Sequence, residues 1–342
     1  MFAGGQEPLE ILIPRLLVPS ISGVQLESGW FASPETWTID KPPPDLLVNI
    51  DRFSSGDSDR ILCHVHGWLV QWIEKGSNPF IHAHMYRYRF PQCIQDAYLS
   101  LSAYRQRTAT NKHVICRIIE DRIQQLVRRG VSGLDATSGC GSDEASTFDA
   151  LEYLARVQSL LVYQCISLFD GDIRLRHLAE QNLPVLEDWL YQLRALQARQ
   201  SSCCGESLVY PSPQGFAASS KAIPPGNLLW YSWILAESTR RTWLVTSGVQ
   251  GIYKLIRNNE AGCMGGLIFT CRNGFWNAPS AVAWEKQCSE VYAGMVRLTE
   301  VDKLLALVPP EEINDFAKFA LEGTFGGEQM ERWGVARAYG RE

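Results

Sequence analysis

The sequence predicts an all-α fold, an irregular array of roughly eight to ten packed helices. Three observations predict it. Apolar residues recur at helical spacing in stretch after stretch. Strand signals are few, with 267–270 the one short candidate. Hydrophobic residues make up 46% of the chain and charged residues 20%, which is enough apolar surface for a sizeable core.

Residues 1–58 are punctuated by proline and glycine, with Pro42-Pro43-Pro44 and a Ser54–Ser58 run marking turns or extended chain. They are expected to be an irregular N-terminal segment, followed by a single helical domain over 59–342 with loops at 130–147 and 199–226. Leu62, Val65, Leu69, Trp72 and Ile73 predict a helix from Ile61 to Lys75, with Gly76 as its stop. Pro91 opens a second helix to about Arg107, striped by Ile94, Tyr98, Leu101 and Tyr104. Asn111 is the expected N-cap of a third, whose stripe runs from Val114 to Val127 and which Gly130 should end. A fourth is predicted from Phe148 to Phe169. The Asp170-Gly171-Asp172 turn leads into Ile173–Ala198, where Pro184 should start a new helix or kink the old one. The longest pattern is Leu228 to Arg257, with Trp230, Trp233, Ile234, Glu237, Arg241, Leu244, Ile252 and Ile256 near one side. Val282–Leu298 and Glu311–Leu321 complete the set.

Net charge is −5, and no basic run exceeds the pairs Arg128-Arg129 and Arg240-Arg241. A domain that neutralises phosphates needs a basic surplus, so direct DNA binding is disfavoured. No stretch is long and apolar enough for a membrane span, and Pro8, Pro14, Glu7 and Glu10 spoil any secretory leader. The ten cysteines include no C-x-x-C pair, which argues against a structural zinc site, and without a secretory leader reduced buried thiols are expected.

Several strings line up with one family. Trp68–Trp72, Asn78-Pro79-Phe80-Ile81-His82 and Pro91 with Ile94–Tyr98 form the first. Leu160–Gln164 with Leu168–Asp172 and Arg174 form the second. Trp230–Trp233 with Ala236–Thr242 form the third, and Phe275–Ser280 with Trp284 the fourth. In this order and spacing, across about 60–290, they resemble the effector region of fungal zinc-cluster (binuclear zinc finger) transcription factors. The resemblance implies a helical region that senses or transmits regulation, in fungi, often beside secondary-metabolite gene clusters. It also implies a separate DNA-reading module with six cysteines. Residues 1–62 contain no cysteine, so the chain departs from the family there. Three explanations stay open: action through partner proteins, a regulatory fold reused for another task, or a true start upstream of Met1.

Chemistry-bearing clusters are few. His64/His66 and His82/His84 invite a metal reading, but residues two apart on a helix do not face each other, and no further ligands stand beside them. Asp170-Gly171-Asp172 lacks the later ligands of a calcium loop, so a helix-joining turn with Asp172 as N-cap is expected. Cys203-Cys204 reads as a variable loop. No nucleophile elbow, phosphate loop or dinucleotide fingerprint is present, and no catalytic residue, metal or cofactor is assigned. Glu237, Arg240 and Arg241 are the exception, polar residues on an otherwise apolar, tryptophan-rich helix. Glu237 and Arg241, four apart, can pair inside the core. Alternatively the three are polar anchors in a ligand pocket floored by Trp230, Trp233 and Trp276, suited to an acidic or phenolic small molecule.

The leading expectation is a transcription-regulator-like protein without its own DNA-binding module. It would work in the nucleus through other regulatory proteins and a small-molecule effector. The rival is a cytoplasmic cofactor-free enzyme, such as a cyclase, or a small-molecule carrier built on the same helices. The absence of a catalytic motif leans away from the enzyme.

Overall fold

The computed structural model describes residues 29–41, 55–134, 149–199, 225–258, 264–291 and 293–335. Twelve α-helices, short 3-10 helices and one two-stranded sheet make up the regular structure of these residues, as an all-α array. The helices are α1 (Gly29–Ala32), α2 (Ser55–Lys75), α3 (Gln92–Arg105), α4 (Lys112–Leu134), α5 (Ala150–Ser167) and α6 (Ile173–Gln181). They continue with α7 (Leu183–Arg199), α8 (Pro225–Asn258), α9 (Ala281–Glu290), α10 (Val301–Leu307), α11 (Asp315–Phe325) and α12 (Gly327–Arg332).

Helices α5 and α8 form the centre. Sixteen of the eighteen residues of α5 are buried, and every residue of α8 from Trp230 to Thr246 is buried. A helix apolar on one stripe lies on a surface; a helix buried all round is threaded through a core. The one-sided reading of α8 therefore undercounts its contacts, and Ile256, expected near the inner side, is 61% exposed. Two buried polar contacts stitch the central pair together. Gln158 Nε2 donates to Thr242 Oγ1 at 3.1 Å, and Gln250 Nε2 to Gln164 Oε1 at 3.0 Å. Around this pair, α3 and α7 pack on α5, and α9 and α1 pack on α8.

Local signals explain most boundaries. Gly76 ends α2 with φ +71°, a left-handed conformation that glycine adopts without a Cβ clash. Pro91 caps α3, and Pro184 sits in the first turn of α7, which starts a new helix after Asn182. Asp172 caps α6 by accepting from Arg174 N and Leu175 N, each at 3.0 Å, so the Asp-Gly-Asp turn joins two helices as expected. Asp170 does more: it takes Tyr104, Arg107 and Lys112 and ties the α3–α4 corner to the end of α5.

Three expectations are corrected. Gly130 does not end α4, which continues to Leu134; a single helical glycine costs only about 1 kcal/mol. Asn111 directly precedes α4, its carbonyl accepting from Val114 N and Ile115 N at 3.1 Å, while its side chain accepts from Thr108 N at 2.7 Å. The helix expected over 282–298 stops at Glu290. Past Gly294 (φ +65°) the chain becomes β2 (Met295–Val296), which pairs antiparallel with β1 (Phe269–Thr270). The helix expected over 311–321 begins later, at Asp315, capped by Asn314 accepting from Ala317 N at 2.8 Å.

Within the stretch expected to be irregular, residues 29–41 form α1 and a 3-10 turn at Pro34–Trp37, and Phe31 and Trp37 are each 1% exposed. The expected loops at 130–147 and 199–226 fall largely outside the described residues, as does Cys203-Cys204.

Candidate functional site

Buried arginines need acceptors, and the neighbours of α8 supply them as backbone carbonyls. Glu237 and Arg241 sit one helical turn apart on α8. Arg241 Nε donates to Glu237 Oε1 at 2.9 Å, with both side chains almost wholly enclosed. The same oxygen accepts from Thr270 N at 3.0 Å, and Glu237 Oε2 from Thr270 Oγ1 at 3.2 Å. The rest of the Arg241 fork donates to Pro79 O at 3.0 Å and Thr270 O at 3.3 Å. Its guanidinium lies over the Trp276 ring at 4.0 Å and the Phe316 ring at 4.7 Å. Burial lowers the affinity of Arg241 for its proton, and Glu237 opposes that shift. Arg241 is thus bound on every side, and it joins α8 to β1, to the 78–82 turn and to α11.

The 78–82 turn is shaped by its own sequence. Asn78 Oδ1 accepts from Phe80 N at 3.0 Å and Ile81 N at 2.7 Å, while Asn78 Nδ2 donates to Trp68 O at 3.2 Å. This turn presents Pro79 O to Arg241 and swings His82 against Trp276. His82 Nε2 donates to Trp276 O at 2.9 Å, and its Nδ1 accepts from His84 N at 3.1 Å. Both ring nitrogens are committed in the neutral tautomer. Burial, with His84 adding to it, pushes the imidazole down to about 3. His82 stands edge-on to Trp230 and Trp276, with ring centres 6.0 and 4.9 Å apart. Among the described residues no cluster of His, Cys, Asp or Glu has the grouping of a metal site.

Arg240 goes elsewhere. Consecutive helical positions are rotated by about 100°, and Arg240 faces the 29–41 segment. Its Nη2 donates to Phe31 O and, at 2.9 Å, to Thr36 Oγ1, and the guanidinium lies 4.3 Å from the Trp37 ring centre. Two further arginines hold the same segment by its carbonyls. Arg194 of α7 donates to Trp37 O at 2.8 Å, and Arg297 to Thr38 O at 2.9 Å and Glu35 O at 3.0 Å. Asp40 forms a β-bridge with Gly266, which closes the strap at its far end.

The structure thus divides the candidate residues. Trp230, Glu237, Arg241 and Trp276 share one cluster through His82. Trp233 links it to the strap: its ring is 6.3 Å from Trp276 and 5.5 Å from Trp284, and Trp284 stacks on Trp30 and meets Phe31 edge-on. Strings one, three and four of the resemblance meet here; string two builds the separate Asp170 hub. Phe31, Thr36, Trp37, Thr270 and Phe316 carry the site too, but sequence reasoning missed them. Phe31, Thr36 and Trp37 lie some 200 positions from α8, and only the tryptophan in an otherwise irregular stretch hinted at a core role.

Among known proteins, the chain is similar to "Transcription factor gsfR2" of Penicillium aethiopicum. The two are 30% identical over 276 residues, which is 78% of this chain and 61% of the relative. The chain therefore spans less than two thirds of that relative's length. No protein-family model matches the chain, and no solved structure does. Over most of its length, then, this helical chain is similar to a fungal transcription factor.

Proposed function

We propose that this chain is the helical region of a fungal transcription regulator, acting in the nucleus through contacts with partner proteins and answering to a small effector held in its interior. The observation that carries the reading is the similarity to a transcription factor over 276 residues, on an all-α fold. Net charge supports action through partners over direct grip on a duplex. The chain is acidic overall, and one of its two longest basic runs, Arg240-Arg241, is buried in the core. Among the described residues no helix is long and apolar enough to cross a membrane. The target genes proposed are those of a secondary-metabolite cluster.

Deletion of the gene, read by transcript profiling together with chromatin association of the tagged protein, tests the proposal. A coordinated fall or rise of one set of neighbouring transcripts, with the protein found at chromatin, is expected. Unchanged transcripts with loss of a single metabolic step would replace the regulator with the cofactor-free enzyme.

A further inference from the structure

The 29–41 strap turns one short string outward. Phe31, Ala32, Thr36 and Trp37 are buried against the core; between them Pro34 and Glu35 are exposed and Ser33 is half-buried. Ser33-Pro34 is one of two Ser-Pro pairs in the sequence, and the other, Ser212-Pro213, falls outside the described residues. Proline favours an extended residue before it, and Ser33 is extended, with φ −60° and ψ 148°. Proline also removes the backbone donor that would follow the serine. A serine followed by proline, on extended backbone at the surface, is the substrate pattern of proline-directed protein kinases.

The turn that follows depends on Ser33. Its carbonyl accepts from Thr36 N at 3.0 Å and from Thr36 Oγ1 at 2.6 Å. Thr36 Oγ1 in turn accepts from Arg240 Nη2 at 2.9 Å. The Glu35 carboxyl is held below its ordinary range by its own backbone N–H and by the Ser33 hydroxyl. Arg297 covers the same turn, but its fork is engaged by Glu35 O, Thr38 O and Thr38 Oγ1. A phosphate on Ser33 removes the hydroxyl donor and sets about two negative charges beside the Glu35 carboxylate. If Arg297 swings to meet them, it leaves the carbonyls it now holds. Repulsion and capture act in one direction: each loosens the strap over Arg240.

We propose that Ser33 is a phosphorylation site for a proline-directed kinase, and that the phosphate releases the 29–41 strap from α8. Ser33 Oγ attacks the γ-phosphorus of a nucleoside triphosphate held by the kinase. An Oγ–P bond forms, the bond to the β–γ bridging oxygen breaks, and the nucleoside diphosphate leaves with that electron pair. The hydroxyl proton goes to the kinase's catalytic carboxylate. Phe31 and Trp37 are buried on either side, so the kinase takes the strap in a briefly lifted state and the phosphate opposes its return. The site goes beyond the regulator reading and does not rest on it.

The site is tested by incubating the full chain with magnesium-ATP and, in separate reactions, a mitogen-activated and a cyclin-dependent protein kinase. Phosphates are mapped by mass spectrometry, and hydrogen exchange compares the treated and untreated chains. Phosphate on Ser33 is expected with at least one kinase, and about tenfold less or lower in Pro34→Ala. Amides of 29–41 should then exchange about tenfold faster, with α5 unchanged. Ser33→Ala, treated alike, should keep the protection of the untreated chain, which separates Ser33 from any phosphate at Ser212. Protection of α5 reports that each variant is folded. No phosphate on Ser33 with either kinase, or undiminished phosphorylation of Pro34→Ala, overturns the site. Phosphate on Ser33 with unchanged exchange of 29–41, or with equal loss of protection in α5, overturns the release of the strap. Transcript and chromatin results stand apart from all of these outcomes.

Discussion

Both oxygens of Glu237 are engaged inside the protein, and their partners come from two elements: Arg241 on its own helix and Thr270 on β1. Removing the carboxylate strands a buried guanidinium and two donors of Thr270. Glu237→Ala is expected to destabilise by about 3–5 kcal/mol, read as a lower denaturant midpoint. His82 gives the same region a pH dependence. Its folded value, about 3, lies below the ordinary 6.5 because burial disfavours the imidazolium. Between those values the unfolded chain holds a proton that the folded chain does not. Stability is therefore complete above about 6.5 and falls as pH drops toward 3, by up to about 1.4 kcal/mol per pH unit from this group. His64, pushed down to about 4 by burial and by Arg60, adds in the same direction. A His82→Gln variant should show a flatter fall in Tm between pH 6.5 and 4; an unchanged slope would remove His82 as the source.

At the scale of elements, the strap at 29–41 matters most. Arginines from α7, α8 and the segment after β2 hold its carbonyls, and Asp40 pairs with Gly266. The contact is close because position 265 is glycine. A Cβ there would lie 2.5 Å from Ile39 Cγ2 and 2.8 Å from Asp40 O, on a backbone at φ +82°. Gly265→Ala thus combines a left-handed strain of about 1–2 kcal/mol with a collision against the Ile39 side chain and the Asp40 carbonyl. The variant should lose protection of 29–41 in limited proteolysis at a temperature where the wild type is intact. The same element logic explains why Met295 and Val296 are not helical: they find a strand partner in Phe269 and Thr270, and that tertiary pairing outweighs a helical apolar pattern.

For the whole molecule, the buried apolar residues form one connected cluster that reaches from Phe31 to Val335. Such a core should guard its thiols. Cys165, Cys271 and Cys288 are buried; burial pushes Cys165 and Cys288 up to about 12 and Cys271 well above its ordinary range. Cys63 is exposed. A thiol reagent at neutral pH is expected to label Cys63 at once and those three only as the chain unfolds, with peptide mapping by mass spectrometry as the readout. Prompt labelling of Cys271 would contradict a closed core around Arg241.

The helices were legible in the chain because burying an apolar stripe needs only local spacing, and the stops at Gly76 and the starts at Pro91 and Pro184 are written in single residues. So were Glu237 and Arg241 as a pair, since four positions on a helix fix their proximity. What the sequence left undecided was the fate of Arg240. Only the return of residues 29–41 across α8 gave it Phe31, Thr36 and Trp37, and only the turn at Asn78 gave Pro79 to Arg241. Those partners stand far apart along the chain, and local spacing is blind to separation of that order. Tertiary packing sent two adjacent, identical side chains to opposite fates: one closed by a carboxylate, the other by a carbonyl, a hydroxyl and an indole ring.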